Sequence, residues 1–468
     1  MIRSARYLAV RQVAGIGLRL AGAFAVARLI GPGEYGRYAV AASVVGLLVV
    51  VAGAGLSLTL LRRVVAPTLA DEQQASSLLV ATSAGSMMFG LLIVVPLLHW
   101  FLPAGYLGVY IALLISIPLN VAWLPAVARL ERSFRHRELA SVVIGSELAG
   151  YCVAIALAAA DAGVWAPVAG AYVVQAWQLI ASCRYSQYVP AWRWSSTEAV
   201  NMVRSGSAES TSGWILQAGE LVSPLIAARY LGAGAAGQLA VARRLVDALA
   251  VVKRVSARLA VPTLARLRHD PGSLREAHER GRILGVFATG PIMAVGALAI
   301  PIALPRLLGP QWEAIPRVVA LSCVSTLVGL AFALHSSLLA VVGRQGPVIA
   351  MRIIQLLLLA AGSAVFMPRY GPIGFAMAEL VRCGGFVLVE VAVRRVIRPE
   401  SSEVWAWIIA WSIPLAAPFV GLHWWPALLV PPLMLLLSPI GRLRIGQILH
   451  SARIRPTTPG DPAAATST

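Results

Sequence analysis

Between residues 238 and 261 an apolar run carries Arg243, Arg244, Asp247, Lys253, Arg254 and Arg258. At about 100° per residue on a helix, Asp247 lies roughly 40°, Arg254 roughly 20° and Arg258 roughly 60° from Arg243. These four therefore form one narrow stripe. It rises about 22 Å at ~1.5 Å per residue, most of the ~30 Å of a bilayer's hydrocarbon. Arginine at that depth is costly in lipid, so the stripe is expected to face a watery cavity or a partner. Such a ladder suits a phosphate-bearing ligand, because the planar guanidinium fork matches phosphate oxygens in two parallel hydrogen bonds. Asp247 sits one turn from both Arg243 and Arg244. It reads as a helix salt bridge that lowers the cost of burying charge, or as a carboxylate displaced by the incoming phosphate.

The elements that position these residues follow from composition. The chain has 468 residues, 58% hydrophobic and 13% charged, with mean hydropathy +0.77. A soluble domain is nearer a quarter charged, so this is an all-α polytopic membrane protein. Apolar stretches long enough to span occur at 8–30, 38–61, 77–98, 108–128, 141–160, 168–188, 208–231, 238–261, 282–303, 317–341, 348–368, 374–396, 405–421 and 427–441. That makes fourteen expected spans. The net charge of +19 would suggest nucleic acid in a soluble chain; here its placement matters more. With the N-terminus inside, 26 basic residues fall on the inner side and 6 on the outer. That bias leads us to expect both termini in the cytoplasm. No nucleic-acid partner is expected.

A repeat sets the internal architecture. ARLIGPGEYGRYAVA at 27–41 aligns without gaps to ARYLGAGAAGQLAVA at 228–242, an offset of 201 with eight of fifteen positions identical. Six spans separate the copies, so both have one orientation, and a pseudo-two-fold axis is expected along the membrane normal. The expected division is a six-helix lobe over 1–206, a second over 207–398, two extra helices over 399–455 and a disordered tail over 456–468. Both copies contain GxGxxG, at Gly31–Gly33–Gly36 and Gly232–Gly234–Gly237. Each lies between two apolar spans rather than after a strand, so they read as tight outer turns and not as a dinucleotide fingerprint.

The offset also relates Arg19 to Glu220, opposite charges at equivalent positions. They could pair across the lobes in one conformation and part in another, and Glu220 is also a candidate proton or sodium site. In the second span, the positions equivalent to the stripe are Ala42, Gly46, Gly53 and Ser57, an open wall or a close helix contact. Glu379 and Arg382, spaced i, i+3, are expected to satisfy each other. His335 reads as a satisfied buried histidine before a proton relay. Trp100, Trp312 and Trp424 read as interfacial anchors. The four cysteines, Cys152, Cys183, Cys323 and Cys383, show no CxxC spacing and read as small hydrophobes. No metal cluster, cofactor motif, Walker A sequence or nucleophile triad is present, and the outer connections are about fifteen residues or fewer. A membrane glycan polymerase or ligase needs more, so no catalytic residues and no enzyme activity are expected.

The turn after the first span, its weaker echo after the seventh and the LLGPQWEAIPRVVALSC segment at 307–323 carry a resemblance. The chain resembles the O-antigen and polysaccharide-type oligosaccharide flippases of the multidrug/oligosaccharidyl-lipid/polysaccharide exporter superfamily, over most of 5–395. It departs from their pattern at Leu239, where an aromatic is usual. The resemblance implies two lobes in a V around a cavity lined mainly by spans 1, 2, 7 and 8. It implies flipping of an undecaprenyl-diphosphate-linked oligosaccharide across the bacterial cytoplasmic membrane by alternating access, for surface polysaccharide export. Arg19 and Arg243 or Arg244 match the positions expected to meet the diphosphate, with Arg254 and Arg258 continuing the wall. Glu220 and Asp247 would serve coupling or gating. Expected partners are the lipid-linked oligosaccharide and membrane lipids, with room for a coupling ion, H+ or Na+, and for polysaccharide polymerase or export machinery. The alternative is an ion-coupled multidrug or metabolite antiporter of the same superfamily, which would favour carboxylates and aromatics over arginines.

Overall fold

The computed structural model describes residues 2–53, 55–56, 68–103, 105–251, 263–267, 269–399, 402–420 and 424–453. Of residues 2–14, 205, 207–209, 212, 425 and 447–453 it describes the backbone alone. Lys253, Arg254 and Arg258, Ser57 and the tail from 456 lie outside the described residues.

Among the described residues the molecule is all-helical. In chain order the helices are α1 (Ile2–Ala52), α2 (Leu69–Phe101), α3 (Leu107–Ile115), α4 (Ile117–Arg132), α5 (His136–Ala159) and α6 (Trp165–Ser186). Then come α7 (Ser196–Tyr230), α8 (Gly232–Leu249), α9 (Pro271–Leu308), α10 (Ile315–Val341), α11 (Gly346–Tyr370) and α12 (Pro372–Arg382). They are followed by α13 (Phe386–Arg394), α14 (Ser402–Ser412), α15 (Ala417–Val420), α16 (Trp425–Leu437) and α17 (Pro439–Arg453). Every expected apolar stretch falls on a helix or a helix pair wherever it is described. Seven helices among the described residues are long and apolar enough to cross a membrane, and two bent pairs would bring that to nine. The others are shorter or carry charge, α7 and α8 among them.

The breaks have local causes. Gly31 divides α1 into two helices with φ 76° and ψ 170°, a conformation open to glycine, and Pro32 starts the next turn with its fixed φ. Gly232 makes the equivalent turn between α7 and α8 with φ 84°. A five-residue π turn, Gly90–Val94, precedes Pro96 in α2, whose ring cannot follow an ordinary α turn. The α3/α4 pair bends by 45° just before Pro118, and α16/α17 bends by 71° at Pro439.

The two glycine turns pack on one another. A Cβ at Gly36 would collide with the Ala233 carbonyl, and a Cβ at Gly237 with the Pro32 carbonyl. Gly36 and Gly237 differ by 201, as do Pro32 and Ala233, so the two contacts are symmetric counterparts. Both repeats therefore need glycine for the same reason, the close approach of two backbones. Around this contact Arg28 Nη1 donates to the Leu307 carbonyl at 3.1 Å, and Gln238 Nε2 donates to the Gln311 carbonyl at 2.9 Å. Trp312 is fully buried and meets the Tyr35 ring edge-on at 6.3 Å. It is thus a core residue and not an interfacial anchor, whereas Trp100 and Trp424 are exposed. Elsewhere small residues set helix spacing, as where Gly150 of α5 meets Gly170 of α6. α14 docks on α9 through Trp407, which packs edge-on against Phe287 at 4.8 Å.

At the start of α9, Asp270 accepts hydrogen bonds from the backbone N–H groups of Gly272 and Ser273 and from the Ser273 hydroxyl. These bonds favour the carboxylate and hold Asp270 below its ordinary pKa. The stabilisation is complete above the unfolded value, about 4, and is lost as pH falls through the lowered value. Asp270→Ala is therefore expected to lower the thermal midpoint at neutral pH, with the gap to wild type closing as the pH is lowered through that range. A gap independent of pH would show that the cap is not its source.

Candidate functional site

Below the glycine contact lies a cavity of about 500 Å3, lined by α1, α3, α4, α5, α6 and α8. It extends from Tyr35, one turn past Gly31, to Arg19 and Ile16 on the first segment of α1. Its wall is asymmetric. Among the described residues only Arg244, Asp247 and Ala248 come from beyond residue 206. Spans 1, 2, 7 and 8 were expected there; the first, second and eighth are joined by the fourth, fifth and sixth, while the seventh lines a different space.

Among the described residues four charged groups share the cavity wall, Arg19, Glu147, Arg244 and Asp247, and Glu147 lies within electrostatic reach of both arginines. Arg244 lies over the Tyr35 ring at 5.6 Å, with Tyr38 and Tyr151 also close by. The aromatic faces and hydroxyl groups suit a guanidinium with few carboxylates around it. Arg19 reaches Glu147 of α5 at 3.6 Å. Ser116, Asn120, Gln175 and Gln178 add hydroxyl and carboxamide groups to the lining, with Ala42 and Gly46 as small residues. A carboxamide offers both donor and acceptor, which matches sugar hydroxyls. Two guanidinium groups and two carboxylates set among neutral hydroxyl and carboxamide groups can hold a molecule that carries both an anionic group and many hydroxyls.

Two of the expected site residues lie elsewhere. Arg243 donates through Nη2 to Glu220 of α7, in a small pocket between α7, α8, α11 and α12. The structure thus divides the stripe: Asp247 faces the central cavity and Arg243 the small pocket. α8 stands at the junction of two spaces, and neighbouring residues on it look into different ones. Arg19 and Glu220, though equivalent by the repeat, are not partners in this structure; each pairs within its own half, with Glu147 and Arg243. A carboxylate held by a guanidinium is neutralised locally. Arg382 pairs with Glu379 at 3.4 Å. His335 is buried with Nε2 2.8 Å from Glu390 Oε2, and its ring meets His278 at 4.8 Å.

Periodicity did not point to Tyr35, Tyr38, Tyr151, the two glutamines or Arg352. Tyr35 and Tyr38 lie in the first copy of the repeat, where the second copy has Ala236 and Leu239. That difference between copies was the available signal. Arg352 was counted among inner-side charges although it lies four residues inside an expected span.

Helical spans broken by glycine and proline, two halves meeting through a repeated turn and a polar cavity beneath it are the architecture of a multi-pass membrane protein. The fold is that of a solved "Lipid II flippase MurJ, inward closed conformation", at TM-score 0.72 and 14% identity over 96% of this chain and 99% of that one. It also matches an "inward-facing conformation of a multidrug resistance MATE family transporter of the MOP superfamily", at TM-score 0.61 and 15% identity over 81% and 95% of the two chains. The chain belongs to the polysaccharide biosynthesis protein family, whose model matches residues 25–317. A relative, the succinoglycan biosynthesis transport protein ExoT of Rhizobium meliloti (strain 1021), is 29% identical over 301 residues, 61% of this chain. The matched stretch spans 58% of that relative's length.

Proposed function

We propose that this protein flips an undecaprenyl-diphosphate-linked oligosaccharide across the bacterial cytoplasmic membrane, for export of a surface polysaccharide. The observation that carries the reading is Arg244, held against tyrosines at the sealed end of a cavity that also presents hydroxyl and carboxamide groups. Its guanidinium suits a diphosphate and the rest of the wall suits a glycan. Arg19 is a second diphosphate contact whose link to Glu147 is weak enough to exchange. Arg254 and Arg258 are further candidate contacts in this reading. Glu220 and Arg243 form an ion pair that gates or couples, with Asp247 beside them.

The mechanism is alternating access between two six-helix lobes, 1–206 and 207–398. The sealed glycine turns and the cavity beneath them fit a state closed toward the outside. The reverse state needs those turns to separate. The arginine bias supports cytoplasmic termini. The antiporter alternative fits less well, because its cationic substrates would meet a guanidinium at the closed end. Transport rather than catalysis also agrees with the similarity to a succinoglycan biosynthesis transport protein and to a lipid II flippase.

A strain lacking the gene tests the reading. Its lipid extract is expected to accumulate a completed diphosphate-linked repeat unit while surface polysaccharide is lost. Unchanged lipid intermediates together with new sensitivity to cationic compounds would replace the flippase by the antiporter.

A further inference from the structure

We propose that the small pocket between α7, α8, α11 and α12 is a second, separate binding site for an oxyanion, a phosphate or carboxylate group. It is lined by Glu220, Arg243, Arg352, Gln355 and Arg382, and encloses about 40 Å3. Three guanidinium groups from three helices meet two carboxylates, and each carboxylate already has its own arginine: Glu220 holds Arg243, and Glu379 holds Arg382. Arg352 is left over. It has no ion pair among the described residues, and its Nε is buried without a hydrogen-bond partner. Arg243 Nη1 is likewise buried and unpaired, although Nη2 of the same group is engaged.

Two buried N–H donors on different helices, next to an uncompensated positive charge, are costly to leave unmatched. Water can accept from the N–H groups but cannot supply the missing negative charge. An oxyanion does both, since its oxygens accept from two guanidinium edges at once. The volume admits a few waters or one tetrahedral or planar oxyanion, and no sugar ring. The occupant is thus either the headgroup phosphate of an anionic lipid or a free anion. Leu216 on α7 lines the pocket and is 56% exposed, so the pocket lies near the outer surface of the helix bundle, within reach of either.

The site is independent of the proposed transport cavity, and its test is built to keep the two apart. Full-length protein carrying Arg19→Gln and Arg244→Gln, which silence the central cavity, is placed in nanodiscs of phosphatidylcholine alone and titrated with radiolabelled inorganic phosphate. Saturable binding is expected. Adding Arg352→Gln should weaken it about tenfold, the loss of one charge-assisted hydrogen bond, while Arg352→Lys retains part of it. Gly219 lines the pocket and a Cβ there meets nothing, so Gly219→Leu should block the site without removing a charge or an ion pair. It keeps the test valid where Arg352→Gln fails to fold. Repeating the titration with phosphatidylglycerol in the disc separates the sources: suppressed phosphate binding identifies a lipid headgroup as occupant, and unchanged binding a free anion. No saturable binding in phosphatidylcholine discs, or binding indifferent to both Arg352→Gln and Gly219→Leu, overturns the proposal.

Discussion

Arg244→Ala is expected to lower surface polysaccharide export by about ten- to a hundredfold at unchanged protein level. The guanidinium lies over the Tyr35 ring and lines the central cavity. The loss would fall on the substrate. Each charge-assisted hydrogen bond to a phosphate contributes roughly 1.5–3 kcal/mol, and a factor of ten is about 1.4 kcal/mol. Arg244→Lys keeps the charge without the two-pronged geometry and should fall between wild type and alanine. Export measured by quantifying cell-surface glycan, with lipid-linked precursor measured in the same cells, checks it. Export at wild-type level in Arg244→Ala would remove Arg244 from the substrate path, and with it the chief support for the flippase reading.

Gly36→Val and Gly237→Val should each abolish or nearly abolish export by a different route. Each places a branched side chain where a carbonyl of the opposite repeat now sits. Relief requires the turns to separate, and overpacking of this kind costs about 1–3 kcal/mol. Against a closed state favoured by a similar amount, that shifts the population by roughly 5- to 150-fold. The shift is read at Ala42, which lines the central cavity. With the four native cysteines replaced, Ala42→Cys should react slowly with an impermeant thiol reagent added outside cells, and many-fold faster when Gly36→Val is present. Equal labelling rates would mean that the glycine contact does not seal the outer side.

The helices were readable from the sequence because they depend on quantities a sequence carries directly: apolar length, glycine where φ is positive, and proline at bends. The fourteen apolar stretches fall on helices for that reason, and the turns at Gly31 and Gly232 take the conformation expected of them. Arg19, Arg244 and Asp247 stood out as charges in apolar runs, and they line the central cavity. What the helical period could not supply was the neighbour. It gives the azimuth of Arg243 on α8 but not that α7 would offer Glu220 on that side. The same limit hid the tyrosine cluster, assembled from α1 and α5, and the burial of Trp312, which depends on Tyr35 nearly three hundred residues earlier in the chain. The pairing of Arg19 with Glu147 instead of Glu220 follows from it too.

The one-sidedness of the central cavity bears on how such proteins diversify. Among the described residues, most of the cavity wall is encoded before residue 206, and the later half adds one short face of α8. Recognition of the cargo's variable part and the machinery of the opposite half are therefore separable stretches of gene. Under the proposed flippase reading, a crossover between the sixth and seventh spans would exchange most of the described cavity wall, and with it cargo preference, while leaving α7, α11 and α12 intact.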